Sequence, residues 1–374
     1  MKRKNAGSYY KRKDGRYGVK FGSKQTTCAS EAEAKRILRD FRNSIAPPIT
    51  MNGTVEAVAN DWMKNVVQGT IKPLSYQRKM STLQNHIYPV IGKLQVSSLK
   101  PEDMQSIIND MSQRGMSYSS IKKAYEAINS CLNGLVEQRK LEYNPIRGTK
   151  LPKARAKEMS DVHFYTEKEL SAICREAMSL NVDGTHKYSA AQLFVLAANT
   201  GMRAGEIIPL QWDDIDFDKR LVHVSKNAVL IKENGTYKTI VQSSAKTTSS
   251  IRHIPLNNAA IDALNDLKAN SSSSSYLFLT RNNNLYTVTN IDKILKHILR
   301  NCGFGEANAD GTPGKNKLYG IHAFRHSFAS ALLSKGADIK KVSEILGHKN
   351  VTITYNTYIH FIPKDLADTV KLLD

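Results

Sequence analysis

The 374-residue sequence contains few cysteines and no long apolar stretch, and both absences exclude classes of protein. Its four cysteines, at positions 28, 131, 174 and 302, form no CxxC pair, so neither a disulfide framework nor a cysteine-based zinc site is expected. No apolar run approaches the roughly 18 residues that span a bilayer. The basic residues after Met1 lead into no apolar segment, which argues against a signal peptide. These absences predict a cytoplasmic protein with reduced thiols and no membrane partner.

Acidic residues are scarce relative to basic ones. The chain carries 54 Lys and Arg against 34 Asp and Glu, which gives a formal net charge of +20. Such an excess of positive charge favours a polyanionic partner, and nucleic acid is the commonest one. The hydrophobic share of 41% is ample for globular folding, and the length exceeds what one core supports. We therefore expect a basic protein of two or three domains.

The first 47 residues, the most basic part of the chain, are predicted to form a small sheet with one helix. Strand patterns occur at residues 8–13, 16–21 and 24–27. A helical pattern follows at residues 31–43. Asp14-Gly15 is typical of a hairpin turn, and Ser30 with Glu33 forms a capping box at the start of the helix. We interpret this segment as a DNA-binding sheet. A solvated basic tail is the alternative.

Residues 48–150 are predicted to form a helical domain, in which the pattern is helical almost throughout from about residue 54 to residue 144. Four amphipathic segments cover them, at residues 54–62, 74–90, 101–115 and 117–138. Pro101 begins the third segment at the first-turn position that proline favours. Four helices of this length form a compact bundle. The basic segment that follows, residues 151–162, has few apolar anchors and is predicted to be an interdomain linker.

Residues 163–374 mix helical and strand patterns. Thr166 and Glu169 form a capping box, and an apolar helix is predicted over residues 188–199. Strand patterns follow at residues 221–224, 228–232, 237–241 and 251–256. The predicted fold class is therefore a multidomain protein: a small β-sheet plus helix at the N-terminus, an all-α helical bundle, and a mixed α+β, mainly helical C-terminal domain.

Two basic residues of the last domain lie near turns and are candidates for phosphate contacts. Arg203 follows an apolar helix, and Glu206 is placed three residues later to hold its guanidinium. Lys246 lies in a Ser-rich stretch just before a strand. Alone, the first pair is better explained as a helix-surface ion pair, and the lysine as a solvated cation.

A histidine-rich segment supplies further candidates. His322 and Arg325 are spaced i, i+3, so on a helix they share a face. His326 is four residues after His322, a spacing that also occurs in zinc sites. Because no HExxH pattern and no acidic third ligand accompany these histidines, neither a metal nor another cofactor is expected.

Near the C-terminus, two tyrosines follow His348 within ten residues. A phenol beside histidine and arginine side chains can attack a phosphodiester. Tyr355 and Tyr358 would lie about 60° apart on a helix, so periodicity does not choose between them.

In their order along the chain, these motifs resemble those of the tyrosine recombinases, the phage integrase family. Residues 200–206 resemble the first arginine motif, and Lys246 before residues 252–256 resembles the lysine hairpin. Residues 322–329 are similar to the HxxR box, and 346–348 to the second-histidine motif. The spacing from that histidine implies Tyr358 as nucleophile and leaves Tyr355 to pack or support. The implied catalytic set is Arg203, Lys246, His322, Arg325, His348 and Tyr358, supported by Glu206.

Each residue of the set then has an expected role in phosphoryl transfer. Arg203 and Arg325 clamp the phosphate oxygens, where negative charge increases in the transition state. His322 accepts the proton of the phenol, whose ordinary pKa is near 10. His348 donates a hydrogen bond to the phosphate, and Lys246 is the general acid for the departing 5′ oxygen.

The resemblance implies a site-specific recombinase that integrates and excises a mobile element through a 3′-phosphotyrosyl intermediate. Double-stranded DNA is the expected partner, bound as a homo-tetramer, with an excisionase or a host DNA-bending factor as candidate accessory proteins. Residues 1–47 would bind arm sites, residues 48–150 the core site, and residues 163–374 would be catalytic. A type IB topoisomerase-like enzyme and a non-catalytic DNA-binding regulator are the alternatives. The apolar C-terminal tail from Phe361 packs either on its own domain or on a neighbouring protomer.

Overall fold

The computed structural model divides into two compact units, Met1–Arg155 and Ala156–Asp374, and each unit has its own hydrophobic core. All four cysteines are free thiols, and Cys28 and Cys131 are buried. None of the helices in the described part of the chain is long and apolar enough to cross a membrane. The structure describes residues 7–21, 24–43, 52–153, 163–233, 235–243, 251–270, 274–305 and 318–361.

An antiparallel three-stranded sheet with one helix begins the first unit. Its elements are β1 (Ser8–Lys11), β2 (Tyr17–Phe21), β3 (Lys24–Cys28) and α1 (Glu31–Asn43). Alternation along β2 turns Val19 inward, where it packs with Leu38 of α1 in a small core. On the opposite face the Tyr10 ring covers Gly18, and its hydroxyl accepts a hydrogen bond from Gln25 Nε2 (3.1 Å). The predicted strands and helix of this segment are confirmed.

A helical bundle follows, in which all four predicted helical segments are confirmed. Its helices are α2 (Val55–Trp62), α3 (Pro73–Thr82), α4 (Tyr88–Ile91), α5 (Pro101–Gln113) and α6 (Tyr118–Glu137). A π-helical turn over Met63–Val67 extends α2, and a second one over Leu83–Ile87 joins α3 to α4 in one continuous helix. Leu83, Ile87 and Ile128 are fully buried between these helices. The apolar positions that predicted the helices therefore form the bundle core.

The second unit is mixed α+β and mainly helical, so the predicted fold class is confirmed. Its eight helices in the described residues are α7 (Glu167–Ala177), α8 (Ala191–Thr200), α9 (Ala204–Ile207), α10 (Asn258–Ala269), α11 (Val288–Asn301), α12 (His322–Ser334), α13 (Ile339–Leu346) and α14 (Val351–Tyr358). Helix α8 runs through the core, where Phe194 packs against Phe324 of α12 with ring centroids 6.3 Å apart. Helices α13 and α14 pack on each other and on α12. This packing brings segments that are distant in sequence to one place.

Five strands complete the described part of the second unit. They are β4 (Ile215–Asp216), β5 (Leu221–Val224), β6 (Lys226–Glu233), β7 (Thr236–Ser243) and β8 (Arg252–Pro255). Strands β4, β5 and β8 form an antiparallel sheet in that order, and β6 pairs with β7 as a hairpin. The hairpin strands are longer than predicted from their apolar alternation, because polar residues at both ends of each strand also pair.

Gly134 provides a test of packing in the bundle. A Cβ added to this residue in α6 would lie 1.8 Å from Cη2 of Trp62. Replacing a helical glycine by alanine ordinarily stabilises a helix by about 0.5–1 kcal/mol. We expect Gly134→Ala instead to lower the free energy of unfolding by about 1–3 kcal/mol, because it overpacks this contact. Chemical denaturation followed by circular dichroism measures the change.

The control repeats this substitution in a Trp62→Leu variant, which lacks the ring that the new methyl group would contact. We expect Gly134→Ala to be neutral or stabilising there. Equal destabilisation in both backgrounds would contradict the steric explanation.

Candidate active site

Arg203 is held at the junction of α8 and α9 by local backbone geometry. Gly201 ends α8 in the left-handed region (φ +62°), and a Cβ there would lie 2.5 Å from Cδ1 of Phe328. Arg203 then precedes α9, and its backbone N–H donates to Glu206 Oε2 (2.9 Å). Its guanidinium Nη1 donates to Glu206 Oε1 (2.8 Å). The carboxylate thus fixes both the start of α9 and the arginine side chain.

Glu206 is shared with a second arginine, Arg252 of β8. The side chains of Glu206 and Arg252 are each only 7% exposed, and Arg252 Nη2 lies 2.9 Å from Glu206 Oε2. Arg252 Nε also donates to the carbonyl oxygen of Ile345 (2.6 Å). Burial alone raises the pKa of Glu206, but the hydrogen bond and charge of Arg252, with the charge of Arg203, lower it to about 2. The Glu206–Arg252 pair is therefore buried, whereas in the Arg203–Glu206 pair that the spacing suggested the arginine side chain is 40% exposed.

Arg325 of α12 is 2% exposed and joins two helix ends. Its Nη1 donates to the carbonyl oxygen of Gly201 (2.9 Å), and its Nη2 donates to that of Leu346 (2.6 Å). The last carbonyls of a helix have no partner within the helix and carry partial negative charge, which suits a guanidinium. Burial, and next the charge of Arg203, lower the pKa of Arg325 to about 9, so it remains charged at neutral pH.

His348 follows the left-handed end of α13 at Gly347 (φ +65°). A Cβ on Gly347 would lie 2.9 Å from Nη1 of Arg252. The ring Nδ1 of His348 is 2.7 Å from Oγ1 of Thr354, which is fully buried. Burial, and then the charges of Arg325 and Arg203, lower the pKa of His348 to about 4. At neutral pH this imidazole is therefore uncharged.

The two candidate tyrosines differ in burial. Tyr358, the last residue of α14, is 1% exposed, whereas Tyr355 is 48% exposed. Burial raises the pKa of Tyr358 to about 12, although the charges of Arg325 and Arg203 act in the opposite direction. Tyr355 is therefore half exposed, whereas Tyr358 lies in a cluster with residues of α12 and α13.

The hydroxyl of Tyr358 contacts His326, a residue that sequence analysis considered only as a metal ligand. His326 Nδ1 lies 2.7 Å from Tyr358 Oη. His322, the expected proton acceptor, is exposed, and its ring meets that of His326 edge-on with centroids 4.9 Å apart. In this structure the imidazole beside the phenol is therefore that of His326, one helical turn further along α12.

One open cavity of about 510 Å³ collects these side chains. Five of the six predicted catalytic residues line it, whereas Lys246 lies outside the described residues, between Ser243 and Arg252. The described part of its wall contains arginine, lysine and histidine but no carboxylate, so the cavity suits an anion. No group of three or more His, Cys, Asp or Glu side chains in the described ranges is arranged to hold a metal. The lining residues are Arg203, His322, Arg325, His326, Gly347, His348, Lys349, Ile353, Thr357 and Tyr358.

Sequence analysis missed the roles of Arg252 and His326. Burial alternates along β8, so that Arg252 and Ile254 are buried while their neighbours are exposed. An arginine on the apolar side of a strand predicts a buried ion pair, and that signal was present in the sequence. His326 shares its helix face with His322, but its contact with Tyr358 joins residues 32 positions apart, which local spacing does not reveal.

The buried carboxylate gives a stability test. We expect Glu206→Gln to lower the free energy of unfolding of the second unit by about 3–5 kcal/mol at neutral pH, because it leaves a buried guanidinium without its counter-charge. Since the pKa of Glu206 falls from 4.5 to about 2 on folding, its contribution is complete above pH 4.5 and is lost as the pH falls towards 2. The difference in free energy of unfolding between wild type and Glu206→Gln should therefore decrease as the pH falls over that range. Chemical denaturation measures this free energy. It is followed by the fluorescence of Trp212 in a Trp62→Phe background, so that the signal comes from the second unit alone.

The control is Glu167→Gln, which removes an ion pair with Lys335 whose side chains are 59% and 66% exposed. This change should alter stability little. A Glu206→Gln effect that is equally large at pH 7 and at pH 3 would show that the carboxylate charge is not responsible.

Comparison with known proteins identifies the family of the chain. The Phage integrase family model matches residues 163–364, more than half of the chain. A model described as Phage integrase, N-terminal SAM-like domain, matches residues 54–112. A tyrosine recombinase XerC-like protein of Caldanaerobacter subterraneus is 31% identical over 371 residues, which cover 92% of this chain and 89% of that protein. The ICEBs1 integrase of Bacillus subtilis is 25% identical, covering 79% of this chain and 77% of its own.

Solved structures agree in fold. The Tn1549 transposon integrase in complex with a circular intermediate DNA matches with a TM-score of 0.66 at 21% identity, covering 86% of this chain and 99% of that chain. A lambda integrase tetramer bound to a Holliday junction matches with a TM-score of 0.57 at 16% identity, covering 97% of both chains.

The resemblance inferred from the order of the motifs is thus confirmed over most of the chain. The chain belongs to the phage integrase family and is a tyrosine-type site-specific DNA recombinase, of the kind that integrates and excises mobile elements.

Proposed function

We propose that Tyr358 attacks the scissile phosphate of a DNA strand in the 510 Å³ cavity, forming a 3′-phosphotyrosyl bond and releasing a 5′ hydroxyl. The observation that carries this proposal is that Tyr358 shares one cationic cavity with two arginines and three histidines. Because the phosphotyrosyl ester keeps the energy of the broken bond, a 5′ hydroxyl from another strand reverses the attack without ATP. Strand exchange is the result.

Arg203 and Arg325 are the proposed clamp for the phosphate. Both guanidiniums line the cavity, and their positions are fixed by hydrogen bonds to Glu206 and to two backbone carbonyls. Donors that are fixed before the reaction stabilise developing negative charge without reorganisation. Glu206 therefore supports catalysis by orienting Arg203 rather than by touching DNA.

His348 is the proposed hydrogen-bond donor to a phosphate oxygen. Its low pKa keeps the ring neutral, and its Nδ1 faces the hydroxyl of Thr354. When Nδ1 accepts from that hydroxyl, Nε2 carries the proton and donates it to the phosphate. Lys246 remains the proposed general acid for the 5′ oxygen. Support for it is its motif in the chain between β7 and β8, which lies outside the described residues.

The proposed assembly is a homo-tetramer that exchanges strands between two duplexes through a Holliday junction, with an excisionase or host DNA-bending factor as accessory partner. The similar lambda integrase structure is a tetramer bound to a Holliday junction, which supports the proposed tetramer and junction. We propose that residues 48–150 and 163–374 bind the core site, with residues 151–162 as their linker, and that residues 1–47 bind arm sites. The exposed Tyr10, Lys20 and Gln25 on the outer face of the N-terminal sheet suit contact with DNA.

The choice of nucleophile is tested by trapping the covalent intermediate. Wild-type protein is incubated with genomic DNA that contains element ends, and the cleavage site is mapped from the adduct. On a suicide duplex nicked beside that site, Tyr358→Phe should abolish the adduct, because the attacking oxygen is removed. Tyr355→Phe should retain it within a few-fold of wild type. An adduct that persists in Tyr358→Phe and vanishes in Tyr355→Phe would reverse the assignment.

Two labelled duplexes separate the proposal from its alternatives. Wild-type protein should produce recombinant strands that carry both labels. Relaxation of supercoiled DNA without exchange would indicate a type IB topoisomerase-like activity, and binding without any adduct would indicate a regulator.

The arm-site proposal is tested by removing residues 1–47. We expect the shortened chain to bind a duplex with only the mapped cleavage site as tightly as the full chain does. It should lose binding to distal sites within the element ends. The salt dependence of the binding constant should also decrease, because the removed basic residues no longer contact phosphates. Electrophoretic mobility shifts at several salt concentrations measure both effects. Loss of binding to the cleavage-site duplex would contradict separate arm and core functions.

A further inference from the structure

The hydroxyl of Tyr358 occupies a fixed position in the second unit. Its ring is 1% exposed and belongs to a cluster with Ala329, Leu333, Val342 and Leu346, which come from α12 and α13. A buried ring in such a cluster has one preferred rotamer, so its oxygen has one location. That location is 2.7 Å from Nδ1 of His326.

This hydroxyl must lose its proton for the reaction to proceed. Burial raises the pKa of Tyr358 to about 12, so the phenol is protonated at neutral pH. A general base has to lie within hydrogen-bond reach of the group that it deprotonates, at about 2.6–3.2 Å between the two heavy atoms. The 2.7 Å contact between Tyr358 Oη and His326 Nδ1 satisfies this distance.

The other charged or titratable groups that face the cavity are less suited to accept the proton. The cations that line the cavity are hydrogen-bond donors without an acceptor lone pair, namely Arg203 before α9, Arg325 on α12 and Lys349 after α13. Nδ1 of His348 is paired with Thr354 Oγ1. His322 lies at the exposed end of α12, with its ring edge-on to that of His326.

We propose that His326 is the general base for strand cleavage and the general acid for religation. This assignment of His326 rests on the proposed function, in which Tyr358 is the nucleophile. As the bond from Tyr358 Oη to phosphorus forms, the hydroxyl proton moves to Nδ1 of His326, and the bond from phosphorus to the 5′ oxygen breaks as that oxygen takes a proton from the general acid, proposed above as Lys246. On religation the 5′ hydroxyl gives its proton back to that group as it attacks, and His326 returns a proton to the departing Tyr358 oxygen. His322 is then left to contact the phosphate at the cavity mouth.

The test compares His326→Gln with His322→Gln in the full chain. Single-turnover cleavage of the suicide duplex, built on the site mapped with wild-type protein, is measured between pH 5.5 and pH 9.5, a range that brackets histidine titration, roughly pH 6.5. Glutamine retains a hydrogen-bonding amide but does not accept a proton, so it separates positioning from base catalysis. We expect His326→Gln to cleave about 100-fold more slowly at pH 7 and to lose the histidine limb of the pH–rate profile. His322→Gln should keep that limb.

A more acidic phenol provides an independent readout. When 3-fluorotyrosine replaces Tyr358, less help is needed to remove the proton, so the His326→Gln defect should shrink by about tenfold. A defect in Lys246→Ala should not respond to the fluorotyrosine, but should be relieved by a 5′-bridging thiolate, which is a better leaving group. Thermal unfolding shows whether His326→Gln is folded. If it is not, the pH–rate profile of the fluorotyrosine protein with His326 intact takes its place, and its histidine limb should flatten.

Three outcomes would overturn the inference. His326→Gln could cleave at a rate and with a pH profile close to wild type, the histidine limb could vanish in His322→Gln instead, or fluorotyrosine could leave the His326→Gln defect unchanged. All three leave Tyr358 as nucleophile and the proposed function intact, because wild type still forms its adduct. Failure of the wild-type chain to form any adduct would overturn the proposed function, and this inference with it.

Discussion

The carboxylate of Glu206, buried between the guanidiniums of Arg203 and Arg252, is the interaction on which the site depends. It connects the start of α9 to β8, and Arg252 extends the connection to the carbonyl oxygen of Ile345 near the end of α13. Three segments that are distant in sequence are thus held around one negative charge. A buried pair of this kind contributes little net stability compared with apolar packing, but it is costly to break, so its main effect is to fix geometry.

The cavity nevertheless keeps an excess of positive charge. One buried carboxylate faces three arginines, and Arg325 is held by carbonyl oxygens at two helix ends. Burial and then this excess lower the pKa of His348, and the excess opposes the effect of burial on the pKa of Tyr358. The same charges that prepare the cavity for a phosphate therefore set the protonation of the groups around it, and a bound phosphodiester would restore the electrostatic balance.

Much of the fold could be predicted from sequence, because apolar periodicity and capping residues act over a few residues. The bundle helices and most strands of the second unit follow those local signals, and the order of the motifs identified five residues that meet in one cavity. The roles of Arg252 and His326 could not be predicted in this way. Their partners are 46 and 32 positions away, and only tertiary packing brings them together. The contrast between Tyr355 and Tyr358 likewise arises from packing against α12 and α13, not from helical position alone.

The residues of the turn that carries His348 differ in how far they tolerate substitution. Gly347 adopts a left-handed backbone conformation, and the space beside its Cα is occupied by the guanidinium of Arg252. A different polar residue at position 348 would change the chemistry but leave the turn intact. A side chain at position 347 would strain the backbone and push Arg252 away from Glu206, so the damage would spread to Arg203. The smallest residue of the turn is therefore the one that allows the least sequence variation.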